Sequence, residues 1–358
     1  MFENPTRTQH FISQAEQRLN GIPPDRNRIY QFEIIDRENH ILKLVSKNGV
    51  SIRNNLAIED LYSFDKSGEL RKNFENLFQR YEQRIKSAVE ALEEKLLKKS
   101  DTDLGGLLYE IWLLKFLNIW RNPYGVKKCL NTFHMMTRFH PLDRYFLDCY
   151  RQIDNLQKSD LLEGFPDLDL SLKEYKEWLK VMLLLLMPNP KSSARPGNHP
   201  GNLFEQIAYD LLTDTSFIRA VKIQMLSESF AGRFLLNDRS YFYSSEPTDP
   251  NKLILNFNIS DRIAMTFMIV NPQEIVNQDI TNDPILKQYD PFTQNWLIQQ
   301  SLAEITQNIQ LRPVFDDKEE PVFDDKEEVE QFNQGMIFQA RRYVFCSQKE
   351  VIGATVRE

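Results

Sequence analysis

The sequence predicts an α+β protein that is predominantly α-helical, a helical body with a small sheet formed by strands from the N-terminal part and from the C-terminal half. Three observations point there. Apolar residues recur at helical spacing through the middle of the chain, and short β-prone runs lie on either side of it. The composition sets 24 phenylalanines against 12 glycines, which suits helices packed by aromatic rings better than a turn-rich sandwich.

Residues 1–27 read as polar and irregular, closed by Pro23-Pro24. Ile29 to Ile35 and Ile41 to Val45 are β-prone and flank Asp36-Arg37-Glu38-Asn39, the polar punctuation of a hairpin, and Asn48-Gly49 offers another turn. Leu70, Phe74, Leu77, Tyr81, Ile85, Ala88, Leu92 and Leu96 then recur at spacings of three and four, one apolar stripe on a long helix with Ser67 as candidate cap. A second helix, from Asp103 to Trp120, is apolar on nearly all sides and is stopped by Asn122-Pro123. Further helices are expected at 124–136, 142–156, 172–187, 201–213 and 215–228. Short strands follow at 234–236, 241–243, 253–257 and 264–270, then helices at 291–309 and 326–342.

Strand on both sides of a helical middle favours one domain over 1–358, with a division into 1–190 and 203–358 as the alternative. The divider would be the Pro- and Gly-rich segment 191–202, a candidate linker or lid that carries His199. Residues 313–328 hold an exact tandem repeat, PVFDDKEE twice, which reads as an exposed acidic loop or an acidic contact surface.

Apolar residues make up 41% and charged residues 27%, which argues against wholesale disorder. The net charge of −7 argues against a broad basic surface for nucleic acid, although Lys95/Lys98/Lys99, Lys127/Lys128 and Arg341/Arg342 are local basic candidates. Three well-separated cysteines and no secretion signal point to a cytoplasmic protein. No apolar run approaches the roughly 20 residues of a bilayer span, so no membrane partner is expected.

The phosphate loop, the dinucleotide-binding glycine turn, the His-Glu-x-x-His zinc motif and the nucleophile elbow are all missing. Cys129, His134, His140 and Cys149 are zinc-ligand types, yet their spacing fits no common zinc module, and no metal ligands are assigned. In Gln9-His10-Phe11-Ile12, a polar pair beside apolar residues reads as an anchor for the N-terminal segment. A histidine there is also a candidate general base or phosphate contact, because it titrates near neutrality.

That stretch, Gln9-His10-Phe11-Ile12-Ser13-Gln14, resembles the His-aromatic-aliphatic-Pro-Gln opening of the bacterial domain-of-unknown-function family four-two-three-eight, with Ser13 where proline is usual. Asp60-Leu61-Tyr62-Ser63, Tyr81-Glu82, Trp120-Arg121-Asn122-Pro123, Leu236-Asn237-Asp238-Arg239 and the run from Asn333 to Tyr343 are similar to later family elements. Asn237 and Arg239 depart from its Ser-Asp-x-Pro pattern. The resemblance supplies no mechanism, but it singles out residues. His10, Glu82, Arg121 and Asp238 become the catalytic candidates, and Gln9, Asn333 and Arg342 the substrate-binding ones.

Two functions follow as expectations. The first is a nuclease-like phosphodiester-cleaving effector of a bacterial toxin or phage-defence system. There His10 would be the acid or base and Arg121 would stabilise phosphoryl charge, while Asp238 and Glu82 would orient the histidine or hold a divalent ion such as magnesium. The second is a non-catalytic partner-binding or sensor subunit, contacting a protein through a helical face or the 313–328 loop. A further rival, a nucleic-acid-binding module, is disfavoured by the acidic charge and would require salt-dependent binding to DNA or RNA; nucleic acid otherwise enters as the substrate of the first.

Overall fold

The computed structural model describes residues 1–66, 69–98, 104–157, 168–188, 201–213, 218–244, 252–271, 288, 290–291, 293–294 and 322–357. The first hundred residues hold β1 (Glu3–Asn4), β2 (Thr8–His10), α1 (Gln14–Leu19), β3 (Arg28–Asp36), β4 (Ile41–Leu44), β5 (Val50–Ser51), β6 (Ala57–Glu59), β7 (Arg71–Lys72) and α2 (Glu75–Leu97). The middle holds α3 (Gly105–Arg121), α4 (Val126–Thr132), α5 (Arg144–Asp154), α6 (Leu172–Leu186) and α7 (Leu203–Thr213). Then come β8 (Ile218–Met225), β9 (Leu236–Asn237), β10 (Phe242–Tyr243), β11 (Lys252–Asn258), β12 (Ile263–Val270), β13 (Val322–Phe323), α8 (Lys326–Gln339), β14 (Tyr343–Cys346) and β15 (Thr355–Arg357).

The fold is therefore mixed, and the expectation of a predominantly helical chain is corrected: 44% of the described residues are helical and 23% are strand, in four sheets. One sheet of six strands runs β15-β4-β3-β14-β9, with β5 also on β3; another of five runs β10-β11-β12-β8-β13. The clearest misreading is 215–228, expected as a helix. Ile218–Met225 is a strand pairing along its whole length with β12. Val221, Ile223 and Met225 are buried at every second position, a period of two that a helix cannot present on one face. Residues 1–27, read as irregular, contain β1, β2 and α1, and the last fifteen described residues contribute β14 and β15 to the six-stranded sheet. The two-residue strands are too short to show a periodicity, and long-range pairing defines them.

The helix at 124–136 is shorter than expected. Asn122 accepts from Tyr124 N and caps a 3₁₀ turn at Pro123–Gly125, α4 ends at Thr132, and a second 3₁₀ turn covers His134–Arg138. Ser67, most of the 191–202 segment including His199, the first part of the 313–328 repeat and most of the 291–309 helix lie outside the described residues.

Helix α2 buries Leu77, Phe78, Tyr81, Ile85, Ala88, Leu92 and Leu96, while Leu70 stays exposed ahead of it. Helix α3 lies against α2 and is buried almost all round over its last three turns, Trp112, Phe116 and Trp120 forming an aromatic row along it. Ser171 and Glu174 close a capping box at the start of α6, whose Tyr175 and Trp178 are also buried. Apolar side chains from Phe2 to Phe345 join in one large cluster. A second cluster links the six-stranded sheet to α8 through Phe32, Leu42, Phe332, Met336, Ile337 and Val344.

Candidate functional site

Inside this apolar body, α3 carries Lys115, Asn118 and Arg121, three residues apart and all fully buried. Spacing of three keeps polar side chains on one side of a helix, so they form a polar seam facing α1 and α2. Lys115 Nζ lies 2.6 Å from Glu16 Oε1, with both side chains sealed from solvent. Asn118 Nδ2 donates to Glu16 Oε2 at 2.7 Å and to Ser240 Oγ at 3.3 Å. Arg121 Nε donates to Asn118 Oδ1 at 2.9 Å, and Arg121 Nη1 reaches Glu82 Oε1 on α2 at 2.6 Å. The Arg121 guanidinium also lies over the Phe78 ring, 5.0 Å from its centre. Two helix-end carbonyls are held by aromatic donors, Arg121 O by the Tyr62 hydroxyl and Trp120 O by the Trp178 indole, each at 2.8 Å.

The charges respond to one another. Burial pushes the Glu16 carboxyl up, but the Lys115 charge and hydrogen bond, helped by Asn118, outweigh it and hold Glu16 below its ordinary value. Burial works against the Arg121 charge, and Glu82 with Glu16 more than restores it, so Arg121 stays protonated. Two atoms at this end of the seam have no partner among the described residues: Arg121 Nη2 and Glu75 Oε1, both buried. Glu75 precedes Glu82 by two helical turns on α2. Burial first, and then the Glu82 charge, push its carboxyl up to about 8 against the pull of Arg121.

The structure divides the candidates read from the sequence. Arg121 and Glu82 touch. His10, on β2, is half-buried with Nε2 3.4 Å from Ile52 O. Burial lowers its pKa, the Ile52 carbonyl opposes that, and the positive charge of Arg121 lowers it further, so the ring is neutral and feels the guanidinium. Asp238 is directed elsewhere. Its Oδ1 accepts from Arg341 N, and its Oδ2 from Arg342 N and Tyr343 N, at 2.7–2.9 Å, which pins the entry of β14. Its backbone oxygen accepts from Asn122, so the strand-end carboxylate serves the fold while its neighbours line the α3 terminus.

Gln9 is equally internal: Oε1 accepts from Tyr62 N and Nε2 donates to Ser63 Oγ and to Thr6 O. Asn333 accepts from Leu235 N and donates to Arg233 O and Ile352 O, bridging α8 to the chain on both sides. Arg342 is half-exposed and pairs with Glu33 at 3.0 Å. Glu16, Lys115, Asn118 and Glu75 were not among the candidates. The signal that finds three of them is the regular polar spacing inside an otherwise apolar helix, paired with a buried acid near a Ser13 cap.

The donor set does not fit a divalent ion shared by Asp238 and Glu82, because Asp238 faces amide hydrogens and Glu82 faces a guanidinium. Among the described residues no three His, Cys, Asp or Glu side chains gather as a metal-binding group. Cys129 and Cys149 are buried thiols, Cys129 pushed up to about 12 by burial, while His134 and His140 are exposed. No helix among the described residues is long and apolar enough to cross a membrane.

The surface shows a different feature between α4 and α5. Met135, Phe139, Leu142 and Tyr145 are exposed, Leu142 at 95% and Phe139 at 56%. Arg138 and Arg144 lie along the same segment and meet no carboxylate among the described residues, while Asp143 caps α5 by accepting from Tyr145 N and Phe146 N. Comparison with protein families, curated proteins and solved structures finds no match for the chain.

Proposed function

We propose that this chain is a non-catalytic binding protein that docks an acidic protein partner through residues 134–145. The observation that carries this reading is that segment: within twelve residues of chain it exposes four large apolar side chains and two arginines, Leu142 almost wholly. Methionine, aromatic residues and arginine are the types enriched at interface centres. Two unpaired guanidiniums on a chain of net charge −7 favour a partner that is acidic at the matching place. The buried seam then acts structurally, locking α1, α2 and α3 in register, since nearly all its polar atoms have internal partners.

The test is affinity capture from cell extract with the wild type and with Phe139→Asp/Leu142→Asp, followed by titration of the purified partner. Both positions are exposed, so the variant should unfold at the wild-type temperature. Its affinity for the partner should fall about 100-fold or more. Equal affinity of the two proteins for every captured partner would sink the reading. A wild-type dimer that the variant dissolves would reassign the face to self-association.

The phosphodiester-cleaving effector is the second reading. It rests on the family resemblance and on one local feature: Glu75, two turns from Glu82 on one helix, has its carboxyl pushed up to about 8 by burial and by the Glu82 charge. Glu75 would be the proton donor and neutral His10 the base, with Arg121 Nη2 the donor to a phosphoryl oxygen. Wild type should then degrade RNA or DNA, and His10→Ala and Glu75→Gln should each lose about 100-fold in rate. Wild type that leaves both nucleic acids intact, with and without magnesium, ends this reading.

A further inference from the structure

The second copy of the 313–328 repeat is described from Val322 onward, and the edge of the five-stranded sheet holds it. Val322 and Phe323 form β13, which pairs in parallel with Gln224 and Met225 at the end of β8. Asp324 then turns in the left-handed region at φ 56° and accepts twice from Ser227. Its Oδ1 takes the amide at 2.8 Å and its Oδ2 the hydroxyl at 2.6 Å. Asp325 caps α8 by accepting from Glu327 N and Glu328 N. Glu328 reaches back to β8, where Lys222 Nζ lies 2.7 Å from Oε1 and Gln224 Nε2 donates to Oε2.

Every one of these contacts is made by a residue that the first copy repeats. Val314, Phe315, Asp316, Asp317 and Glu320 stand in 313–320 where Val322, Phe323, Asp324, Asp325 and Glu328 stand in 321–328. A strand register is fixed by the difference between alternative pairings, and between identical segments that difference vanishes at the contact itself. What separates the copies is the residue that follows each. Val329 continues α8, its amide donating to Asp325 O at 3.1 Å and its side chain buried. Pro321 follows the first copy, and proline has no N–H for that bond. Helix continuation therefore favours the second copy, and the first is a spare ligand of the same chemistry.

We propose that the β8 edge, with Lys222, Gln224 and Ser227, is a docking site for the acidic segment Val-Phe-Asp-Asp-Lys-Glu-Glu, and that residues 314–320 fill it when the second copy is released. The exchange shifts the register by eight residues and leaves 321–328 as slack between the dock and Val329. Helix α8 keeps its own anchors meanwhile, since Asn333 and the buried Val329, Phe332, Met336 and Ile337 belong to neither copy. Loop-closure entropy grows only as the logarithm of length, so this slack costs less than the loss of two charged contacts. The dock shares no residue with the 134–145 face or with the buried seam.

Hydrogen exchange of the Ser227 amide in the full chain, followed by nuclear magnetic resonance, reads occupancy of the dock. Removing residues 313–320 gives a single-copy chain, which should protect Ser227 as wild type does. Asp324→Ala/Glu328→Ala in that single-copy chain should cut the protection about tenfold or more, the scale of hydrogen bonds to charged groups. The same pair of substitutions in the two-copy chain should cost at most about threefold, because Asp316 and Glu320 take over. Adding Asp316→Ala/Glu320→Ala should bring back the full loss. Amides within β11 and β12 report that the sheet stays folded. Equal loss in the single-copy and two-copy chains overturns the proposal, and so does undiminished protection in the substituted single-copy chain.

Discussion

Lys115→Met should destabilise the folded chain by about 3–5 kcal/mol at pH 7, the magnitude for breaking a buried ion pair from one side. Methionine fills the space of the lysine stem, so the loss comes from charge rather than from packing. Glu16 would be left sealed from water with Asn118 and Ser13 as its remaining partners, and its burial would then dominate. The companion variant Lys115→Met/Glu16→Gln removes the stranded charge and should recover most of the loss. Guanidinium unfolding of the three proteins provides the check. A single variant within about 1 kcal/mol of wild type would show that this pair does not hold α1 against α3.

The second large effect depends on pH. Glu75 has a folded-state value of about 8, above its ordinary 4.5, so the folded chain binds this proton more tightly than the unfolded chain does. Its contribution to stability is complete below pH 4.5 and is lost as pH rises through 8, at up to about 1.4 kcal/mol per unit. Glu75→Gln keeps the shape and cannot ionise. Between pH 5 and pH 8 wild type should therefore lose about 3–4 kcal/mol relative to the variant, which should be the more stable protein at pH 8. Parallel stability curves for the two proteins over that interval would show that Glu75 ionises freely. The Glu16 carboxyl works in the opposite direction, since its depressed value adds stability above pH 4.5 that is lost as pH falls.

Both effects arise from residues whose importance is only partly legible in the chain. Lys115 and Asn118 are visible as interruptions of an apolar helix, and their common face with Arg121 follows from helical geometry. What they meet does not follow. Glu16 is 99 residues away from Lys115 in sequence, and Asn118 reaches Ser240 across 122. Asp238 shows the converse. It is an acid beside a strand end, a reasonable catalytic candidate by type, and folding assigns it to three amides a hundred residues downstream.

Residue periodicity by itself determined the long helices of this protein: the three-and-four spacing read from Leu70 to Leu96 starts about a turn ahead of α2, whose first residue is Glu75, and the apolar run of α3 lies within a few residues of its observed bounds. It also marked the hairpin of β3 and β4 and the paired strands β11 and β12, because a local repeat is enough to expose one face to a core. The alternation Val221-Lys222-Ile223-Gln224-Met225 is local as well and marks a strand where a helix was expected, whereas tertiary structure alone decided the strand order of the six-stranded sheet and that a charged seam threads the helical core. The reason is physical. Helices close their hydrogen bonds within a few residues, whereas strand partners and buried counter-charges come from distant segments whose meeting no local pattern encodes.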